Sequence, residues 1–119
     1  MKLTVPISVG ELLDKISILQ IKSQYIDSYH VAKELKYLIE IAKENNVYNQ
    51  EFLNQLLDVN SKLWIIEDKL RQFEKNCIFD DEFVYNARLV YITNDMRARI
   101  KKEINDHTNS DLFEVKVYK

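Results

Sequence analysis

A chain of 119 residues, 46% hydrophobic and with one glycine and one proline, has material for one modest core and little for a loop-rich or barrel fold. Seventeen Lys and Arg against nineteen Asp and Glu leave a formal charge of -2, so no global field draws the protein to nucleic acid or to an acidic membrane. The single cysteine, Cys77, cannot form a disulfide within the chain, and no sustained apolar stretch reads as a signal peptide or membrane span; a cytoplasmic protein with one helical domain over residues 1–119 is expected.

Leu3, Val5 and Ile7 alternate with Lys2, Thr4 and Pro6, the pattern of a short strand with one apolar face. Ser8 and Glu11 have the spacing of a capping box, and Ile7 and Leu12 that of a hydrophobic staple, so the chain should turn into a helix at Ser8. Gly10 falls in the first turn, where it either permits close approach of another backbone or opens helix N–H groups to an anion. The first helix should run to about Tyr29. Val9, Leu12, Ile16, Leu19 and Ile26 form one stripe that Leu13, Ile21 and Tyr25 broaden, which suits a helix touched from two sides. Asp14, Lys15 and Lys22 interrupt its polar arc, with Glu11 one turn before Asp14.

A shorter helix follows from about Val31 to Ala42, with Val31, Leu35, Leu38 and Ala42 as its inner face. The third helix has the strongest period: Phe52, Leu56, Val59, Leu63, Ile66, Leu70, Phe73 and Cys77 keep alternating steps of three and four, a coiled-coil-like seam on which Cys77 reads as a buried filler. A helix of that span is roughly 39 Å long and calls for an equally long partner. That partner is the fourth helix, from about Asp81 to Asp106, with Asp80 as N-cap. Tyr85, Leu89, Ile92, Met96, Ile100 and Ile104 make one of its faces; Phe83, Ala87, Val90 and Tyr91 make a second, to be covered by the first helix or by another subunit. Phe113, Val115 and Val117 alternate with Glu114, Lys116 and Tyr118, again a strand pattern. The expected fold is therefore mainly α: an antiparallel helical bundle with long third and fourth helices and a small β-pair formed by the N- and C-terminal segments, or exchanged across a dimer.

Beside the seam, Asn60, Trp64, Glu67 and Arg71 occupy one stripe, with Asp68 just outside it. Asn94 lies on an otherwise apolar face of the next helix with Asp95 adjacent, and Arg97 follows toward the same side, where it could meet Glu67 or an anionic ligand. Such groups either fix the register of helix pairing or line a site. Glu11 and Asp14 with Glu67, Asp68 and Asp95 could instead hold a hard cation such as Mg²⁺. Glu11-x-x-Asp14 resembles half of the motif of an all-helical pyrophosphohydrolase, but no helix supplies the Glu-Glu-x-x-Glu half. His30 and His107 stand apart from any Cys or His grouping, which disfavours zinc, and the run Arg97, Arg99, Lys101 and Lys102 is explained by the negative end of a helix dipole.

Several segments together carry a resemblance: Val5-Pro6-Ile7-Ser8-Val9-Gly10-Glu11-Leu12-Leu13-Asp14-Lys15-Ile16; Val59-Asn60 with Leu63-Trp64 and Ile66-Glu67-Asp68; Tyr91 with Asn94-Asp95 and Arg97-Ala98; and Glu114-Val115-Lys116 with Tyr118. They resemble domain of unknown function 6165, a family of short bacterial and phage-associated proteins with no established activity. Some members sit beside genes for cell-surface carbohydrate assembly, which implies a connection with nucleotide sugars or glycosyltransferases. The resemblance adds Gly10, Glu11, Asp14, Lys15, Asn60, Trp64, Glu67, Asp68, Asn94, Asp95 and Arg97 as site candidates, to which the polar stripe adds Arg71. The expectation is a small interaction or ligand-binding protein without a cofactor, a homodimer through its third and fourth helices, whose polar cluster receives a small anionic or sugar-containing ligand. The alternative is a Mg²⁺-dependent enzyme acting on a nucleotide or nucleotide sugar through Asp14, Glu67, Asp68 and Asp95.

Overall fold

The computed structural model describes residues 1–116, which contain four helices: α1 (Val9–Tyr25), α2 (Tyr29–Glu44), α3 (Gln50–Lys75) and α4 (Asp81–Thr108). Each begins at a side chain whose oxygen accepts a first-turn N–H that the helix itself cannot satisfy. Ser8, Ser28, Asn49 and Asp80 accept from the N–H groups of Glu11, Val31, Phe52 and Phe83 at 3.1, 3.4, 3.0 and 3.1 Å. Because Ser28 caps α2 from an extended backbone, α1 stops at Tyr25, four residues before the expected Tyr29, and α2 begins earlier than Val31.

The other three helices end in left-handed residues, Asn46, Cys77 and Asn109, with φ of 58°, 54° and 53°. Val47, Ile78 and Ser110 then donate back to the carbonyls of Ala42, Phe73 and Asn105 at 2.9 Å, closing Schellman turns. This overturns the reading of Cys77 as a buried seam residue. It lies beyond the end of α3 and is exposed, because the turn reverses the chain before the next heptad step.

The expected β-pair is also absent among the described residues. Neither the segment ahead of α1 nor residues 112–116 forms a strand, and Leu3 and Val5 stand 79% and 69% exposed. A pair of such short strands is marginal without a third strand or a packed face. The last segment is instead held by side chains: the Ser110 hydroxyl accepts from the Val9 N–H at 3.2 Å, and Glu114 reaches Lys101 at 2.6 Å. Val117 and Tyr118 of the expected strand lie outside the described residues.

Leu12, Leu13 and Ile16 of α1, Ala42 of α2, Leu53, Leu56 and Val59 of α3 and Ile104 of α4 form the core. α3 and α4 are antiparallel. Phe52 meets His107 at one end of the pair, and Phe73 meets Phe83 at the other, with ring centroids 5.5 and 6.2 Å apart. α1 packs on α2, α3 and α4, whereas α2 packs on α1 alone. At 1.5 Å per residue α1 is roughly 25 Å long, against roughly 39 Å for α3 and 42 Å for α4. The stacked pair of Tyr25 and Trp64, 4.9 Å between centroids, marks where α1 runs out, so the rest of the α3–α4 hairpin projects past it. The first helix meets α4 at Arg97, Lys101 and Asn105, C-terminal to the second expected face, whose Ala87 and Tyr91 stay exposed, as do Tyr85, Ile92 and Met96 of the first.

Candidate functional site

Burying a carboxylate requires hydrogen-bond partners for its oxygens, and both oxygens of Asp14, fully buried in the middle of α1, have them. The Arg97 guanidinium of α4 grips it bidentately, with Nε at 2.9 Å from Oδ1 and a terminal nitrogen on Oδ2. From α3, Asn60 donates its Nδ2 to the same Oδ1 at 2.9 Å and to the Ser17 hydroxyl at 2.9 Å, and that hydroxyl donates to the Asp14 carbonyl at 2.7 Å. One residue from each of two other helices is therefore tied to a single carboxylate of α1. The bond to Asp14 holds the Arg97 guanidinium protonated against the opposing effect of burial.

Nearer the start of α1, Gly10 lies so close to α4 that a Cβ would stand 2.7 Å from the Lys101 carbonyl oxygen and 3.0 Å from Asn105 Oδ1. Its N–H donates to that Asn105 oxygen at 2.7 Å. Of the two readings of this glycine, close backbone approach applies. The first-turn N–H that an anion would need is already taken by a buried side chain.

Outside this packed layer, Glu11, Asn94, Arg97, Ala98, Lys101, Glu114 and Lys116 line an open polar cleft of about 250 Å³. Lys101 is buried, and its ammonium sits 2.8 Å from Glu11 and 2.6 Å from Glu114. Burial pushes that ammonium down in pKa, but the two carboxylates outweigh it and the net shift is upward. Glu114 also accepts from Lys116 at 2.9 Å, and Lys101 foremost, then Lys116, draw its pKa down to about 2.

The sequence candidates therefore divide. Asp14, Asn60 and Arg97 converge in the closed network, and Gly10 supports it. Glu11 and Asn94 face the cleft, with Asn94 Oδ1 3.5 Å from Arg97. Trp64, Glu67, Asp68 and Arg71 line a separate hollow of about 180 Å³ on α3, where Trp64 is half-exposed rather than core. Lys15 pairs with Glu34 of α2 at 3.7 Å, and Asp95 is exposed. Arg97 meets Asp14 and not Glu67. Asp14, Glu67, Asp68 and Asp95, required together by the magnesium alternative, form no such group: among the described residues no cluster of three or more His, Cys, Asp or Glu could hold a metal ion. The basic run of α4 also breaks up, since Arg97, Lys101 and Lys102 each face a carboxylate.

Ser17 and Asn105 were not singled out by the sequence, while Lys101 entered only in the basic run and Glu114 only in the terminal strand pattern and the family resemblance. Ser17 lies one turn past Asp14 and Lys101 one turn past Arg97, so helical spacing from the candidates already named would have reached both. For Asn105 there was no local signal, since its partner Gly10 lies 95 positions away.

The family model described as a family of unknown function (DUF6165) matches residues 1–119, the whole length, and the chain belongs to that family. No curated protein and no solved structure matches it. No helix is long and apolar enough to cross a membrane, among the described residues.

Proposed function

We propose that this member of the family is a non-catalytic interaction protein that works as a homodimer, a second copy covering an exposed apolar face of α4 on the α3–α4 hairpin. The observation that carries the reading is surface area. The chain exposes 8723 Å², whereas a compact monomer of 14.2 kDa is expected to expose about 6,800 Å². Its radius of gyration is 16.1 Å, against about 13.5 Å for a compact domain of this length. Part of the excess lies in residues 1–7 and in the exposed segment 111–116, and part on the hairpin beyond α1; a stable interface buries roughly 800 Å² per partner.

The apolar component is ordered along one stripe. Tyr85, Ile92 and Met96 share a face of α4 and are 62%, 40% and 37% exposed. The buried Asp14 network fits the same reading as a register device, because its carboxylate is spent on Arg97 and Asn60 rather than open to a reactant. A connection with sugar nucleotides rests only on the company kept by relatives and has no residue of this chain to support it.

Light scattering on a sizing column tests the proposal. Twice 14.2 kDa is expected at micromolar protein, and Ile92→Glu should return the species to one chain mass with its helical circular dichroism unchanged. A wild-type protein that elutes as a monomer across the accessible concentrations refutes it.

A further inference from the structure

One stripe of α4 has the same spacing read from either end. Glu82, Tyr85, Leu89, Ile92, Met96 and Arg99 succeed one another at alternating steps of three and four, the heptad spacing of a helix-pairing seam about 26 Å long. Apolar residues fill its middle, with an acid at the N-terminal end and a base at the C-terminal end. Leu89 is half-buried and the other five are exposed, because the side of α4 that is buried within the chain, marked by Asn86, Thr93 and Ile104, lies one residue further round the helix.

Neither end charge is used inside the molecule. Among the described residues the Glu82 carboxylate and the Arg99 guanidinium have no ion-pair partner, although Arg97, Lys101 and Lys102 of the same helix each have one. Arg99 pairs with neither Asp95 nor Glu103, one turn to either side, and it stands more than two turns before α4 ends at Thr108, too far for the negative end of the helix dipole to account for it.

We infer that α4 pairs antiparallel with α4 of a second copy about a two-fold axis midway between Leu89 and Ile92, and that Glu82 and Arg99 select the direction and register of the pairing. This geometry rests on the homodimer reading above and specifies it. Glu82 then lies against the partner's Arg99, Tyr85 against the partner's Met96 and Leu89 against the partner's Ile92, each contact occurring twice as the axis requires. A parallel pairing would set acid on acid and base on base. A slip of one heptad in either direction would put Glu82 against the partner's Ile92 or Arg99 against the partner's Leu89, desolvating a charge against hydrocarbon. An exposed ion pair adds little attraction of its own, so the role of these two residues is to exclude the wrong arrangements.

Charge exchange tests the register in the full chain. Glu82→Arg alone sets Arg against Arg at both ends of the seam, and Arg99→Glu alone sets Glu against Glu. Each should weaken self-association on the order of 10-fold at low salt with helical circular dichroism unchanged. Mixed in equal amounts, the two variants should assemble with each other in excess of random assortment, since both ends then join unlike charges; native mass spectrometry resolves the mixed dimer by mass. A wild-type protein that stays monomeric sinks the homodimer reading and this register with it. A wild-type dimer whose two variants self-associate as tightly as it does, or whose mixture gives no more than random assortment, leaves the homodimer standing and overturns the register.

Discussion

Replacing Asp14 by alanine should destabilise the bundle on the scale of truncating a core leucine. The substitution leaves the Arg97 guanidinium without a counter-charge and takes an acceptor from Asn60 Nδ2 in a layer where Asp14, Ser17 and Asn60 are all buried. Removing one member of a buried ion pair costs about 3–5 kcal/mol, most of it from the charge left behind. The Arg97 side chain is 26% exposed and can turn toward the cleft, so the lower end applies, about 3 kcal/mol. With an unfolding entropy of about 2.1 cal/mol/K per residue over 119 residues, that loss lowers Tm by about 12 °C. Thermal and urea denaturation followed by circular dichroism, at one fixed protein concentration because association adds to apparent stability, would measure it. Combining Asp14→Ala with Arg97→Met should cost less than the two changes summed, since the orphaned charge is gone; a coupling of about 1.5 kcal/mol or more is expected. A loss under about 1 kcal/mol for Asp14→Ala, or strict additivity in the pair, would show that the network does not hold the three helices together.

Two further changes follow from the same geometry. Gly10→Ala places a methyl group 2.7 Å from the Lys101 carbonyl oxygen, a backbone atom that moves only if α1 and α4 separate; a loss of about 2 kcal/mol is expected, and an unchanged urea midpoint would contradict the close approach. Glu114 titrates well below the usual carboxylate range because Lys101 and then Lys116 hold its ionised form. A lowered folded-state pKa contributes stability that is complete above the unfolded value and is lost as pH falls from about 4.5 toward about 2, so the clasp should release on acidification across that window. NMR titration of the Glu114 carboxyl reads this directly, and an ordinary midpoint near 4.5 would mean that the clasp is not formed in solution.

What the sequence disclosed and what it hid divide by the range of the interaction. Ser8 and Asp80 were readable as caps, and the α3 seam as a line that is buried from Leu56 to Ile66 and half-buried at Phe52, Leu70 and Phe73, because each depends on neighbours within a turn or two. The end of α3 was harder to read, since Cys77 continues the heptad step while the Schellman turn around it uses a left-handed residue that is neither glycine nor asparagine. Alternation in residues 2–7 and 113–118 suggested strands, but a strand needs a ladder, and side-chain bonds from Ser110 and Glu114 hold the later segment instead. Asp14, Asn60 and Arg97 were all among the candidates as polar groups near apolar faces. Their mutual pairing spans 46 and 83 residues and follows only from how α1 lies across the hairpin. The same long range concealed Asn105, whose buried oxygen answers the Gly10 N–H 95 positions away.

Cys77 offers the most direct measurement of the central claim, that a second copy covers the α4 flank. It is the single cysteine of the chain, it is exposed, and it lies at the tip of the α3–α4 hairpin, so a spin label attaches there without any mutation. In an antiparallel pairing centred between Tyr85 and Met96, the two labels lie roughly 40 Å apart, from the 1.5 Å helical rise taken over each half. Double electron–electron resonance should show one narrow distance near that value, lost in Ile92→Glu. A decay with no dipolar modulation at micromolar protein, or a distance unaffected by Ile92→Glu, would contradict the account.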